Sequence, residues 1–313
     1  MELKIRLSEG ENEHIVENII KYWQIPFKTF TEMFLPKTNL NNEEINYTLV
    51  KETEPAHICI VGIQHENNNL LRTNEINILF CIENLGCGRK HYKHFNKFKN
   101  FNNDKIDLYI YNHYKNVMYN INTNKIPIMI PVINYRINYF NNIESKFINT
   151  KYKIKFNEKK FCLFISQNTL NDNKLTALRL LNQYKPLDLI QNFPYMKDKS
   201  CYNSEEIIKL FSNYKFIICF ENSHNKGYVT EKIFNVFLSQ SIAIYDGDPN
   251  INDYINKKSY IKFDEYTANK IQMLDNNEEL YERILQEPKI NKDYNVEIPD
   301  YIDYYLKEKT NYK

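Results

Sequence analysis

Apolar residues in this chain gather into short continuous runs separated by longer amphipathic stretches. The runs are Cys59-Ile-Val61, Ile76 to Glu83, Phe216 to Glu221 and Ile242 to Tyr245. Runs of this length without polar alternation predict strands buried on both faces. Between and around them, apolar positions recur at helical spacing over His14 to Trp23, Lys174 to Tyr184, Glu205 to Tyr214, Glu231 to Gln240 and Glu278 to Gln286. Strands alternating with helices predict parallel α/β units. A basic, Asn-rich, glycine-free segment from Arg136 to Lys160 separates two such series. The expected organisation is a Rossmann-like domain over 1–140, a linker over 141–160, a second Rossmann-like domain over 161–290, and a tail over 291–313 that packs back on the domains.

The length agrees: 313 residues suit two domains of roughly 150 each. The formal charge is only +2, from 41 Lys+Arg against 39 Asp+Glu, so neither nucleic acid nor acidic lipid is an expected partner. With 42% hydrophobic and 14% aromatic residues the chain can bury a sizeable core. The sequence has no apolar stretch of signal or anchor length, which points to a soluble, cytoplasmic protein with no membrane insertion, or to a chain from which an anchor has been removed. The six cysteines form no CxxC pair, and His91 and His94 sit among lysines without a carboxylate ligand. No metal site is expected from them.

Only six glycines occur, each a candidate for a place where a side chain does not fit. Two apolar runs end alike, Leu79-Phe-Cys-Ile-Glu-Asn84 and Ile217-Ile-Cys-Phe-Glu-Asn222. In open parallel sheets ligands bind beyond the carboxyl ends of strands, so the pair points to a cleft lined from both domains. Taken singly, Glu83 or Glu221 is more simply read as the start of a solvated loop.

The densest chemistry lies in Phe220-Glu-Asn-Ser-His-Asn-Lys-Gly-Tyr-Val-Thr-Glu-Lys-Ile-Phe234. A strand ends, Gly227 turns the chain, and Thr230 is placed to cap a following helix. Lys232 then falls in the first helical turn, where the helix dipole disfavours a cation. An anion bound at that helix end would justify it; an ordinary exposed lysine would serve equally.

Phe220-Glu-Asn-Ser, Gly227-Tyr-Val-Thr-Glu-Lys232 and Ala243-Ile-Tyr-Asp-Gly-Asp-Pro249 together resemble the donor-site signature of the α-1,3/α-1,4-fucosyltransferases, glycosyltransferase family 10. Phe161-Cys-Leu-Phe-Ile-Ser-Gln-Asn168 and Asp253-Tyr-Ile-Asn-Lys-Lys-Ser-Tyr-Ile261 extend the similarity over roughly Phe161 to Phe263. The resemblance implies a GT-B-like α/β fold, two Rossmann-like domains facing a central cleft. It implies an inverting enzyme that moves fucose from GDP-fucose to a sugar hydroxyl of a glycan acceptor, with no metal and no other cofactor. Asn168, Asn222, Tyr228, Val229, Thr230, Glu231 and Lys232 would line the donor pocket, with Lys232 also serving catalysis, and Glu83 would be the general base. Transfer of a different GDP-sugar, or an inactive protein that binds a nucleotide-sugar or carbohydrate, are the alternatives.

Two positions depart from the family pattern. Where the family places an arginine to clamp the β-phosphate, this chain has Lys174, which supplies charge without the bidentate fork. Where the family commonly has an aromatic after the tyrosine of the third motif, this chain has Asp246. That aspartate would reshape the sugar or acceptor edge of the cleft.

Overall fold

The structure, a computed structural model, describes residues 1–8, 27–39, 41–51, 53–62, 71–81, 105–111, 128–148, 154–166, 172–191, 205–222 and 224–295. The chain divides into two compact units between Tyr139 and Phe140. Among the described residues each unit is built on one wholly parallel sheet.

The first sheet holds β1 (Glu2–Ser8), β2 (Asn46–Val50), β3 (Ile58–Gly62), β4 (Ile76–Cys81), β5 (Leu108–Tyr111) and β6 (Ile128–Pro131), in the order β2-β1-β3-β4-β5-β6. Leu3, Ile5, Ile58, Val61, Ile76, Ile78, Leu108 and Ile110 fill its interior. An ion pair is buried with them: Arg6 Nε donates to Glu75 Oε2 at 2.7 Å, and both side chains are fully buried. Helix α1 (Phe27–Phe34) lies between β1 and β2 in sequence, and helix α2 (Val132–Ile148) follows β6. Helix α2 runs across the division between the units, so the first eight residues of the 141–160 segment, read as linker, are helical. His14 to Trp23, the basic run around His91 and His94, and the 296–313 tail lie outside the described residues.

The second sheet holds β7 (Lys160–Ser166), β8 (Asp188–Gln191), β9 (Tyr214–Phe220), β10 (Ile242–Asp246) and β11 (Ile261–Lys262), in the order β11-β10-β9-β7-β8. All seven residues of β9 are buried, as its unbroken apolar run predicts. Helices α3 (Asp172–Tyr184), α4 (Glu205–Ser212) and α5 (Glu231–Leu238) make the crossovers, and α6 (Thr267–Asp275) and α7 (Glu278–Gln286) close the unit. One core gathers Phe161, Phe164, Leu181, Phe216, Ile218, Phe220, Ile244 and Tyr281. Cys59, Cys162 and Cys219 are buried free thiols, small hydrophobes in strands.

The strand order fixes where this unit can bind a ligand. From β7 the chain steps outward to β8, then returns to the other side of β7 for β9, β10 and β11. The crossovers therefore diverge between β7 and β9, opening a crevice beyond the carboxyl ends of those two strands. No described helix is long and apolar enough to cross a membrane.

Candidate functional site

Glu221 follows β9 at this switch point and is the hub of the site. Its side chain is fully buried, not the start of a solvated loop as its sequence position predicts. Three donors hold it. Thr230 N–H donates to Oε1 at 2.7 Å, Thr230 Oγ1–H donates to Oε2 at 2.7 Å, and Lys232 Nζ donates to Oε2 at 3.2 Å. Thr230 does stand at the N-cap of α5, but its hydroxyl makes no capping bond. The expected cap is corrected for a simple reason: a buried carboxylate attracts that hydroxyl more strongly than a backbone amide can.

Lys232, in the first turn of α5, also donates to the carbonyl of Phe220 at 2.9 Å. Burial works against its ammonium, but the Glu221 and Glu231 carboxylates outweigh that and hold Lys232 above the ordinary lysine value. Its side chain stays about one-third open at 31% exposure, enough to meet a ligand.

Lys174 lies in the first turn of α3, the helix that follows β7, and is buried. Its pKa is pushed down, first by burial and then by the positive charge of Lys232, with Glu221 opposing. Two ammonium groups thus lie around the buried Glu221 at the carboxyl ends of β7 and β9, with Glu231 beside Lys232. Ammonium groups partly withdrawn from water are suited to meeting a diphosphate.

The connecting loop is held by a second carboxylate. Asp248 accepts from Gly227 N–H at 2.9 Å, from Asn250 N–H at 2.8 Å and from the Tyr254 hydroxyl. Burial raises its pKa, and these three hydrogen bonds oppose the rise. Gly227 has φ 79°, the left-handed region that glycine tolerates. Gly247 is required by closeness instead, since a Cβ there would stand 2.5 Å from Glu221 Cγ and 2.6 Å from Tyr245 Oη.

Of the residues singled out from sequence, Lys174, Thr230, Glu231 and Lys232 come together here. Tyr228 and Val229 are buried in the turn between Gly227 and Thr230, and Asn222 is exposed one residue beyond Glu221. Asn168 and Glu83 lie outside the described residues, just past β7 and β4 in sequence. Sequence reasoning passed over two features. One is Glu221 as hub, whose only sign was a carboxylate ending an all-buried strand. The other is a contact between His224 and Asp246, at 2.8 Å from Nε2 to Oδ1. Nothing in the sequence spacing reveals that pair.

Residues 154–300 match the family model described as glycosyltransferase family 10 (fucosyltransferase), C-terminal. A protein of Acanthamoeba polyphaga mimivirus named for a fucosyltransferase is 33% identical over 153 residues, 44% of this chain and 25% of that protein. The α-(1,3)-fucosyltransferase of Helicobacter pylori is 40% identical over 65 residues, 21% of this chain and 14% of that protein. Human 4-galactosyl-N-acetylglucosaminide 3-α-L-fucosyltransferase 9 is 34% identical over 104 residues, 31% of this chain and 28% of that protein. The matched stretches therefore span between 14% and 28% of the length of these relatives. A crystal structure of an α1,3-fucosyltransferase aligns with TM-score 0.57 at 18% identity, covering 93% of this chain and 82% of that one. One with GDP-fucose aligns at TM-score 0.54, covering 93% and 83%. At that identity the likeness is one of fold: two parallel α/β units of the GT-B kind. Residues 154–300, with their buried Glu221 and paired lysines, are thus a C-terminal domain of the glycosyltransferase family 10 (fucosyltransferase) kind.

Proposed function

We propose that this protein is a fucosyltransferase that moves fucose from GDP-fucose to a sugar hydroxyl of a glycan acceptor, with inversion and without a metal. The observation that carries the reading is the pair Lys174 and Lys232 around Glu221, at the switch point of the family domain. As the bond between fucose C1 and the β-phosphate oxygen breaks, negative charge collects on departing GDP. The Lys232 ammonium, kept charged by Glu221, lies where that charge develops, and Lys174 adds a second cation. The acceptor oxygen bonds to C1 from the opposite face, and its proton passes to Glu83, the general base in this reading.

Two features support a metal-free site. The lysines supply the charge a cation otherwise would. The carboxylates of Asp246-Gly-Asp248, spaced like a metal-binding pair, are engaged separately: Asp248 by Gly227, Asn250 and Tyr254, and Asp246 by His224 and Asn173. Asn168, Asn222, Tyr228, Val229, Thr230 and Glu231 complete the donor pocket.

The test is thermal unfolding in EDTA with GDP-fucose, GDP, GDP-mannose, UDP-galactose or no ligand. A ligand at about 100 times its Kd stabilises by roughly 2.7 kcal/mol. GDP and GDP-fucose are expected to raise the Tm while UDP-galactose does not. An unmoved Tm with every GDP ligand would remove the donor reading. Fucose transfer should then be lost in Glu83→Gln, with GDP binding retained.

A further inference from the structure

A second set of polar side chains flanks the lysines and takes no part in the steps above. Asp246 ends β10 beside Glu221, whose backbone N–H donates to the Asp246 carbonyl at 2.8 Å. The Asp246 carboxylate is shared between two other elements. Oδ1 lies 2.8 Å from His224 Nε2 in the loop between β9 and α5, and Oδ2 accepts from Asn173 Nδ2 at 3.2 Å in the first turn of α3.

Asn173 immediately precedes Lys174, and Asp246 is bonded to the residue that holds Lys232. The side chains remain accessible, 45% exposed at His224 and 18% at Asp246. His224 is open enough for its share of the contact to be weak, so the convergence of three elements on Asp246 asks for a further reason. A ligand supplies one. Carboxylate, imidazole and amide together offer closely spaced acceptors and donors, the complement of a sugar hydroxyl, which both donates and accepts. In a nucleoside diphosphate sugar, the sugar begins one bond beyond the β-phosphate, so groups bordering the lysine pair are placed to meet it.

We propose that Asp246, oriented by Asn173 and His224, hydrogen-bonds hydroxyls of the transferred sugar and selects which GDP-linked sugar is accepted. The inference rests on the donor reading above. Asp246 is the specificity residue; Asn173 and His224 are positioning residues.

The experiment is calorimetric titration of the full chain with GDP, GDP-fucose and GDP-mannose, for the wild type, Asp246→Asn and Asn173→Ala. A hydrogen bond to a charged group is worth about tenfold or more in affinity. Asp246→Asn should weaken GDP-fucose by about that factor and alter its preference over GDP-mannose, while GDP, which lacks the transferred sugar, binds as before. GDP binding also shows that the pocket is folded. Asn173→Ala should shift the same ratio less, and it carries the comparison if Asp246→Asn binds no GDP. An unchanged ratio of GDP-fucose to GDP affinity in the variants overturns the proposal, as does an equal loss for both ligands. A wild type that binds no GDP overturns the donor reading, and the proposal with it.

Discussion

Gly247 shows how little freedom the site allows a single residue. A methyl at that position would overlap Glu221 Cγ and Tyr245 Oη, and Glu221 is pinned by Thr230 and Lys232. Gly247→Ala should therefore cost about 1–3 kcal/mol in chemical denaturation. It should also weaken GDP binding, because the carboxylate that charges Lys232 has to move. Thr230→Val leaves Glu221 Oε2 short of one donor inside the protein, a loss of about 1–3 kcal/mol. Lys174 yields a pH prediction. Its pKa is pushed down, so its charge, and GDP affinity with it, should fall at a lower pH than for an ordinary lysine. Lys174→Arg, which stays protonated, should bind GDP more tightly and keep that affinity to higher pH; an unchanged pH profile would speak against Lys174 meeting phosphate. Lys232 was legible in the sequence because a cation in the first turn of a helix asks for an explanation. Glu221 was not, because a Glu at a strand end reads the same whether water or protein surrounds it. Only the fold, bringing Thr230 and Lys232 back over the strand, distinguishes the two.

At the scale of elements, the strands that could be read were those buried on both faces. β9 and β10 appear where continuous apolar runs place them. The β1 strand carries a different signal: Glu2-Leu-Lys-Ile-Arg-Leu-Ser8 alternates in polarity, the pattern of a half-buried strand. Its Arg6 is nonetheless fully buried, because Glu75 pairs with it from outside the strand. The edge strand β2 is mostly exposed or half-buried, so its residues carry no strong apolar signal. A nearby cation also serves a helix end. Lys289 Nζ donates to the carbonyls of Ile284 and Leu285 near the end of α7, and burial lowers its pKa to about 8. An unfolded lysine titrates near ~10.4. Between about pH 8 and that value the unfolded chain holds more protons than the folded one, so stability should rise with pH. Comparing urea unfolding at about pH 7.5 and about pH 9.5, the gain should be smaller in Lys289→Met than in the wild type. An equal gain in both would show that Lys289 is protonated throughout.

Across the whole molecule, the family match and the charged site coincide with one unit. Residues 154–300 carry the match, and the contact division gives 140–295 as one compact body with its own core. A fragment of residues 132–300, which keeps helix α2 whole, should unfold cooperatively and gain stability from GDP; a non-cooperative transition would show that the core depends on the rest of the chain. Such a fragment should transfer no fucose, since Glu83 is absent from it. The expected boundary between the domains, drawn from glycine-poor sequence, could not reveal that a helix carries the chain across it, because Asn-rich helices and Asn-rich linkers share a composition. The strand order could not be read from sequence either, since register and adjacency depend on pairings between distant residues. That order has a consequence for descent. Both charges proposed to receive the diphosphate sit in the first turns of helices that follow strands of a single sheet, so leaving-group chemistry can be inherited as one cassette. The first 139 residues can then diverge while the proposed handling of GDP stays the same.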